Sequence, residues 1–213
     1  RRFLLAAFAL AISACSGLGG LSDDSQQQRL WAQQQTAAGA VREWDMYARG
    51  ALRLEGEAYN VGIRWQRDLG GRFMMLLEAP FGQGVFRIDA IDPGVYELLL
   101  PDGQSFANSS AEALLQEVVG WSLPMSGLDY WVRGLPRPGG SYSHRIDSGG
   151  LARSIRQDGW DITYLDYFDA ADRPALPRRL RLQGEAVTLK LVIERWQPAR
   201  LQSDDADLFP SFN

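Results

Sequence analysis

The chain has one cysteine and one histidine in 213 residues. Cys15 alone cannot form an internal disulfide, so packing and hydrogen bonds must hold the fold even in an oxidising compartment. His144 alone cannot build a multi-histidine metal site, and it would be the only base available to a serine triad. No G-x-S-x-G elbow and no P-loop pattern occurs. Gly82-Gln83-Gly84 is too short for a phosphate loop and falls between strand patterns, not before a helix. A dominant charge is also missing. The 22 basic and 26 acidic residues are interspersed and net to −4, which excludes the basic footprint of a nucleic-acid binder. Beyond the N-terminus no run of 18 apolar residues occurs, so no membrane-crossing helix is expected. The pairs Asp23-Asp24 and Asp204-Asp205 lie near the ends and read as solvated. No residue pattern marks an active site, a metal or a cofactor, and the expectation is a protein that is not an enzyme.

What is present begins at the N-terminus. Arg1-Arg2 precedes an apolar run from Phe3 to Ile12, followed by Ser13-Ala14-Cys15. The run is too short to cross a bilayer, which takes about 20 apolar residues. It has the length of a signal-peptide core behind a basic start. Ile12-Ser13-Ala14-Cys15 resembles the bacterial lipobox, whose cysteine is acylated and becomes the new N-terminus; an ordinary secretory signal ending in Cys is the alternative. Two or more acyl chains anchor firmly where one does not. Ser16 stands where an Asp would mark inner-membrane retention, so the motif implies the outer membrane. The expected organisation is a signal peptide over 1–14, a lipidated tether over 15–24, one domain over 25–197 and a polar tail over 198–213.

The domain reads as mostly β. Gln26 to Trp44 is predicted as one helix. From Tyr47 the period changes: Leu52 and Leu54 alternate with charged residues, and Tyr59, Val61, Ile63 and Trp65 alternate with Asn60, Gly62, Arg64 and Gln66, which predicts half-buried strands. Phe73 to Leu77 is apolar on both faces and predicts a central strand. Val85–Ile91 and Val95–Leu100 follow, joined by Asp92-Pro93-Gly94, a turn sequence. Ser109-Ser110-Ala111-Glu112 reads as a capping box before a helix with Leu114, Leu115, Val118 and Val119 on one face. Ser126 is expected to cap a second helix running to Arg133 and stopped by Gly134. Leu151–Gln157, Trp160–Tyr167, Arg179–Gln183 and Val187–Trp196 are predicted strands. Short links favour hairpins in a meander.

Two features are out of the ordinary. Seven tryptophans is a high number for this length: Trp31, Trp44, Trp65, Trp121, Trp131, Trp160 and Trp196. They either fill a core or line an apolar cavity between a curved sheet and a helical lid; composition does not separate the two. The turn Ala79-Pro80-Phe81-Gly82-Gln83-Gly84 has an apolar centre where turns are normally polar. Phe81 either folds back onto the core or forms an exposed tip that meets lipid.

Taken in order, Ile63-Arg64-Trp65-Gln66, Ala79-Pro80-Phe81-Gly82, Gly120-Trp121-Ser122-Leu123-Pro124, Tyr130-Trp131-Val132-Arg133-Gly134-Leu135-Pro136, Gly159-Trp160 with Tyr164, and Leu191-Val192-Ile193-Glu194-Arg195-Trp196 resemble the outer-membrane lipoprotein receptor family LolB. The resemblance runs from the lipobox to about Trp196. It implies an unclosed antiparallel β-barrel with an α-helical lid over an apolar cavity. It implies a monomer, anchored in the outer membrane through lipid on Cys15 and facing the periplasm of a Gram-negative cell. Its partners would be the periplasmic carrier LolA and the acyl chains of cargo lipoproteins. The family's delivery loop carries an exposed leucine, whose matching position is Phe81 between Pro80 and Gly82. Trp65, Trp121, Trp131, Trp160 and Trp196 are the candidates to line the cavity. Two readings of other classes compete: an envelope hydrolase using His144, and a scaffold lipoprotein that binds no lipid.

Overall fold

The computed structural model describes residues 18–78, 84–92, 94–120, 122–169 and 174–197. Cys15, Pro80, Phe81, Gly82 and Trp121, the signal segment and the tail from 198 lie outside the described residues. Helix α1 (Leu18–Gly39) leads into a first run of strands: β1 (Trp44–Leu54), β2 (Glu57–Arg67), β3 (Phe73–Glu78), β4 (Val85–Asp92), β5 (Val95–Leu99) and β6 (Ser105–Asn108). Helices α2 (Ala111–Val119) and α3 (Met125–Trp131) follow. The second run is β7 (Tyr142–Ile146), β8 (Ala152–Gln157), β9 (Trp160–Tyr167), β10 (Pro177–Gln183) and β11 (Val187–Gln197).

All eleven strands form one sheet in the order β6-β5-β4-β3-β2-β1-β11-β10-β9-β8-β7. Each run is a meander, and the last strand pairs antiparallel with the first, from Asp45↔Gln197 to Leu54↔Val187. The edges are β6 and β7, so the barrel is unclosed. The chain between those edges contains α2 and α3, which places both helices at the open side. The meanders are those the residue pattern predicts, and the unclosed antiparallel barrel with helices across it is the one the family resemblance implies.

The local reasons are legible strand by strand. In β11 the side chains of Leu189, Leu191 and Ile193 are buried while Lys190 and Glu194 are exposed, a period of two. Two hairpins close through pairs of residues with positive φ: Glu55-Gly56 at +48° and +90°, and Asp158-Gly159 at +52° and +79°. That is the primed turn whose twist matches the flanking strands. The predicted stop at Gly134 is in place. Its φ is +78°, its N–H donates to the Trp131 carbonyl at 3.0 Å, and the Leu135 N–H reaches back to the Tyr130 carbonyl at 3.1 Å.

Several expectations need correction. The first helix occupies Leu18–Gly39 instead of Gln26–Trp44, and Trp44 is the first residue of β1. Helix α2 is capped by Ser110, not Ser109; the Ser110 hydroxyl accepts from the Ala113 N–H at 3.2 Å. Ser126 caps nothing. It is the second residue of α3, which ends at Trp131 rather than Arg133, and its N–H donates to Glu112 of α2 at 2.9 Å. Arg64 and Gln66 alternate with Ile63 and Trp65, yet both are buried. The cause is Asp45 on β1: it accepts from Arg64 at 3.2 and 2.9 Å and from Gln66 at 2.9 Å. Burial lowers the Arg64 pKa, but the bonds and charge of Asp45 outweigh it and hold the guanidinium more firmly protonated than usual. On β3, Leu76 on the outer face is as buried as Met75 on the inner one. Its cross-strand neighbours are Arg64 and Arg87, residues whose long stems can cover apolar surface.

Helix α1 crosses close over the turn between β7 and β8. A methyl added at Gly150 would lie 2.5 Å from Leu30 Cβ and 2.7 Å from the Trp31 nitrogen, and Gly150 has a φ of +76°. Gly150→Ala should therefore destabilise the fold by about 2–4 kcal/mol, from backbone strain plus overpacking. Gly139→Ala has a similar φ of +82° and nothing within 4 Å, so it should lose only about 1–2 kcal/mol. Urea unfolding of the two variants checks this; equal losses would show that α1 does not sit tightly on the turn.

Candidate functional site

The inner face of the sheet and the inward faces of the helices form one continuous apolar interior. Met46, Met75 and Ile88 contribute from the first meander, Ile155, Ile162 and Leu182 from the second, and Leu114, Leu115 and Leu128 from the helices. At one end of the sheet this interior becomes aromatic. Trp196 on β11, Trp44 on β1, Trp65 on β2, Phe73 on β3 and Tyr96 on β5 follow one another across the sheet. The first three contacts are edge-to-face, each with centroids 5.9 Å apart and planes at 70–77°. The register explains the row. Phe73 pairs with Ala90 and Ala90 with Tyr96, so the small side chain on β4 lets rings on its two neighbours approach to 6.2 Å. Each edge-to-face pair adds about 0.5–1.5 kcal/mol beyond its buried area.

Helix α3 closes over this end and is fastened to both meanders. Toward the first, Asp129 lies 3.0 Å from Arg67 of β2 and 3.5 Å from Arg133. Arg67 donates to the Arg42 carbonyl at 2.6 Å, and Arg133 to the Val41 carbonyl at 3.0 Å. Both guanidiniums lie over the Trp44 ring, at 5.2 and 5.1 Å from its centroid. Toward the second, the Trp131 indole donates to Gln157 Oε1 at 3.1 Å, and the Tyr164 hydroxyl donates to the Trp131 carbonyl at 2.9 Å. Gln157 also exchanges hydrogen bonds with the Arg137 backbone at 2.8 and 2.7 Å. Gly127 makes room for this. The Trp131 ring folds back over it so closely that a methyl there would sit 2.5 Å from the ring. Burial pushes the Tyr164 phenol well above its ordinary range and lowers the Arg133 guanidinium.

Between α2, α3 and the β2–β3 turn a cleft of about 340 Å³ opens to the surface. Arg67, Phe73, Tyr96, Glu112, Asp129 and Tyr130 are among the residues that line it.

The sequence candidates fall into two places. Trp65 and Trp196 join the aromatic row, with Trp65 buried and Trp196 half-buried; the Trp196 indole donates to the Pro177 carbonyl at 3.4 Å. Trp131 is fully buried beneath α3 and faces half-buried Trp160 at 6.3 Å. Sequence reasoning missed Trp44 and Phe73 as partners of Trp65. The alternation Trp44-x-Met46-x-Ala48 was the available signal. His144 stacks on Trp31 of α1 with centroids 5.4 Å apart and planes at 24°, so its ring helps dock that helix. Among the described residues no three His, Cys, Asp or Glu side chains are placed to hold a metal ion, and no helix is long and apolar enough to cross a membrane.

Comparison with known proteins places this architecture. Residues 42–196 match the family model described as outer membrane lipoprotein LolB. The chain is 34% identical over 189 residues to an outer-membrane lipoprotein LolB of Nitrosococcus oceani, covering 88% of this chain and 92% of that one. It is 33% identical over 211 residues to an outer-membrane lipoprotein LolB of Pseudomonas aeruginosa, covering 94% and 98%. Among solved structures it resembles a LolA superfamily protein of Nitrosomonas europaea, with a TM-score of 0.51 at 7% identity over 83% of this chain and 94% of that one. That likeness is one of fold.

The acid at the lid has a measurable signature. Burial raises the Asp129 carboxyl above the usual carboxylate range, against the opposing pull of Arg67 and Arg133. Its folded-state pKa exceeds its unfolded-state value, so the stability it contributes is fully present below the unfolded pKa and is lost as pH rises through the folded pKa. Asp129→Asn removes this titration. The stability of the unsubstituted protein relative to the variant should therefore rise as pH falls through the carboxylate range. Urea unfolding at several pH values reads this; a relative stability that falls on acidification would mean that the two arginines outweigh burial.

Proposed function

The chain belongs to the LolB family of outer-membrane lipoproteins, and we propose that it accepts lipoproteins from the soluble carrier LolA and releases them into the outer membrane, with no catalytic step of its own. The observation that carries this reading is the apolar interior enclosed by an unclosed sheet and its helices.

The physical need for such an interior is simple. Each buried methylene contributes about 0.8 kcal/mol, so exposing one acyl chain of about 14 methylenes to water costs about 11 kcal/mol. A lipoprotein carries more than one chain. Cargo must therefore pass from one apolar interior to the next and then to the bilayer, without a solvated intermediate. Acylated Cys15 holds the receptor at the membrane. Phe81, in the apolar segment Ala79-Pro80-Phe81-Gly82, is its contact with the bilayer during release. A flat aromatic side chain suits the interface between headgroups and hydrocarbon.

Transfer is tested with the Cys15→Ser chain, which cannot be acylated. Mixed with LolA carrying a labelled lipoprotein and no nucleotide, it should take up the cargo; cargo that stays on LolA would overturn the reading. Phe81→Glu should leave uptake intact and reduce delivery into liposomes about tenfold or more. Unchanged delivery by that variant would remove Phe81 from the release step.

A further inference from the structure

Among the described residues, three buried side-chain polar atoms have no hydrogen-bond partner: the indole nitrogens of Trp44 and Trp65, and Oδ1 of Asp129. The last is ion-paired with Arg67 at 3.0 Å. The two indoles have nothing equivalent. Both residues are 1% exposed, and their rings touch edge to face at 5.9 Å. Other indoles in the same protein are satisfied, Trp131 by Gln157 and Trp196 by the Pro177 carbonyl. A buried donor left unbonded is destabilising, and two adjacent ones, where the described residues otherwise leave only the ion-paired Asp129 oxygen without a hydrogen bond, need a reason.

The second observation is the place. The cleft at the rim of α2 and α3 has Arg67 and Phe73 in its wall. Arg67 lies over the Trp44 ring, and Phe73 meets the Trp65 ring edge to face. The two rings that carry the free donors thus sit one side chain behind the cleft, at the boundary between the charged rim and the apolar interior. A molecule that enters tail first would bring its last polar atoms to this level. For an ester-linked lipid those atoms are carbonyl oxygens, which accept hydrogen bonds and carry no charge.

We propose that the Trp44 and Trp65 indole N–H groups are the recognition site for the acyl-ester carbonyls of the bound lipid, reached through this cleft when Arg67 and Phe73 shift aside. The inference rests on the proposed function and adds the chemistry that fixes how deep the lipid sits. Hydrocarbon burial is indifferent to position along the chain, whereas a carbonyl bonded to an indole sets a stop. The recognised group is the acyl ester, which both lipoproteins and phospholipids carry.

The test uses the full chain with Cys15→Ser and ¹⁵N-labelled tryptophan, and follows the indole N–H resonances by NMR, assigned with single Trp→Phe variants. Three short-chain probes are titrated: a diacylglyceryl-cysteine peptide, its dialkyl-ether analogue, and a diacyl phospholipid. The ester peptide should move the Trp44 and Trp65 resonances downfield and leave Trp131 and Trp196 in place. The ether analogue should bind about tenfold more weakly, the loss of up to two hydrogen bonds, without those shifts. If the phospholipid produces the same two shifts, the site reads esters from either source; if it does not, the site is specific to the lipoprotein's glyceryl-cysteine. Equal affinity for ester and ether with both indoles unmoved would overturn the inference and leave the proposed function standing. Failure of every probe to displace an apolar dye from the protein would overturn both.

Discussion

The ladder between β1 and β11 is the contact on which the rest depends. It joins the first strand of the domain to the last, from Asp45↔Gln197 to Leu54↔Val187. Each meander is otherwise local, built from hairpins whose partners are close in sequence. Without this one non-local pairing, two separate sheets would each expose an apolar face. With it, both faces belong to a single curved surface, and α2 and α3, placed by the chain between the two edges, fall across its open side. Pairings of high sequence separation form slowly, so the ladder also sets the step at which the interior comes into being. The Asp45 group supports it from outside. An acid on β1 gripped by Arg64 and Gln66 on β2 fixes which residue of β2 stands opposite which of β1, and a one-residue slip would bury an unpaired charge.

The two lid helices are held by different forces. Helix α3 and the segment after it have polar bonds toward both meanders through Asp129, Trp131, Arg133 and Arg137, buried or part-buried. Lifting it would orphan those groups. Helix α2 packs on β5 and β6, buries Leu114 and Leu115 in the interior, and is tied to α3 by the exposed bond from the Ser126 N–H to Glu112. That bond and its own cap can be replaced by water. An acyl chain entering beneath α2 would in turn cover the apolar surface that opening uncovers. The cost of opening is therefore much lower at α2 than at α3, and the cleft lies along the seam between them.

Much of this was legible in the sequence because it is local. The alternation in β11, the Gly134 stop and the meander order all follow from residues within a few positions of one another. What was not legible depends on neighbours distant in the chain. Arg64 and Gln66 look solvent-facing until Asp45, 19 and 21 residues away, is brought beside them. Trp44 reads as the end of a helix until Trp65 and Trp196 gather around it. Strands β6 and β7 are short edges in polar, glycine-rich sequence, and neither carries a clear alternation. The count of tryptophans drew attention to the interior, but which indoles are satisfied is decided by Gln157 and Pro177, and nothing near Trp131 or Trp196 in sequence announces either.

Chain burial alone cannot drive cargo forward. A methylene contributes about the same 0.8 kcal/mol in one apolar interior as in the next, or in a bilayer. That large contribution cancels along the route. What distinguishes the stations must be independent of chain length: the cost of opening a lid, the order imposed on the walls, and the polar atoms at the mouth. Rigid aromatic side chains would help here, since buried, edge-packed rings such as Trp44 and Trp65 have little rotamer freedom to lose to an acyl chain laid against them. A flexible aliphatic wall would give up part of its binding energy as entropy. The lid and rim, where Arg67, Asp129 and the two unbonded indoles meet, are thus where a small difference in affinity between successive carriers can be set. A difference of only about 1.4 kcal/mol, tenfold in equilibrium, suffices to give the transfer a direction.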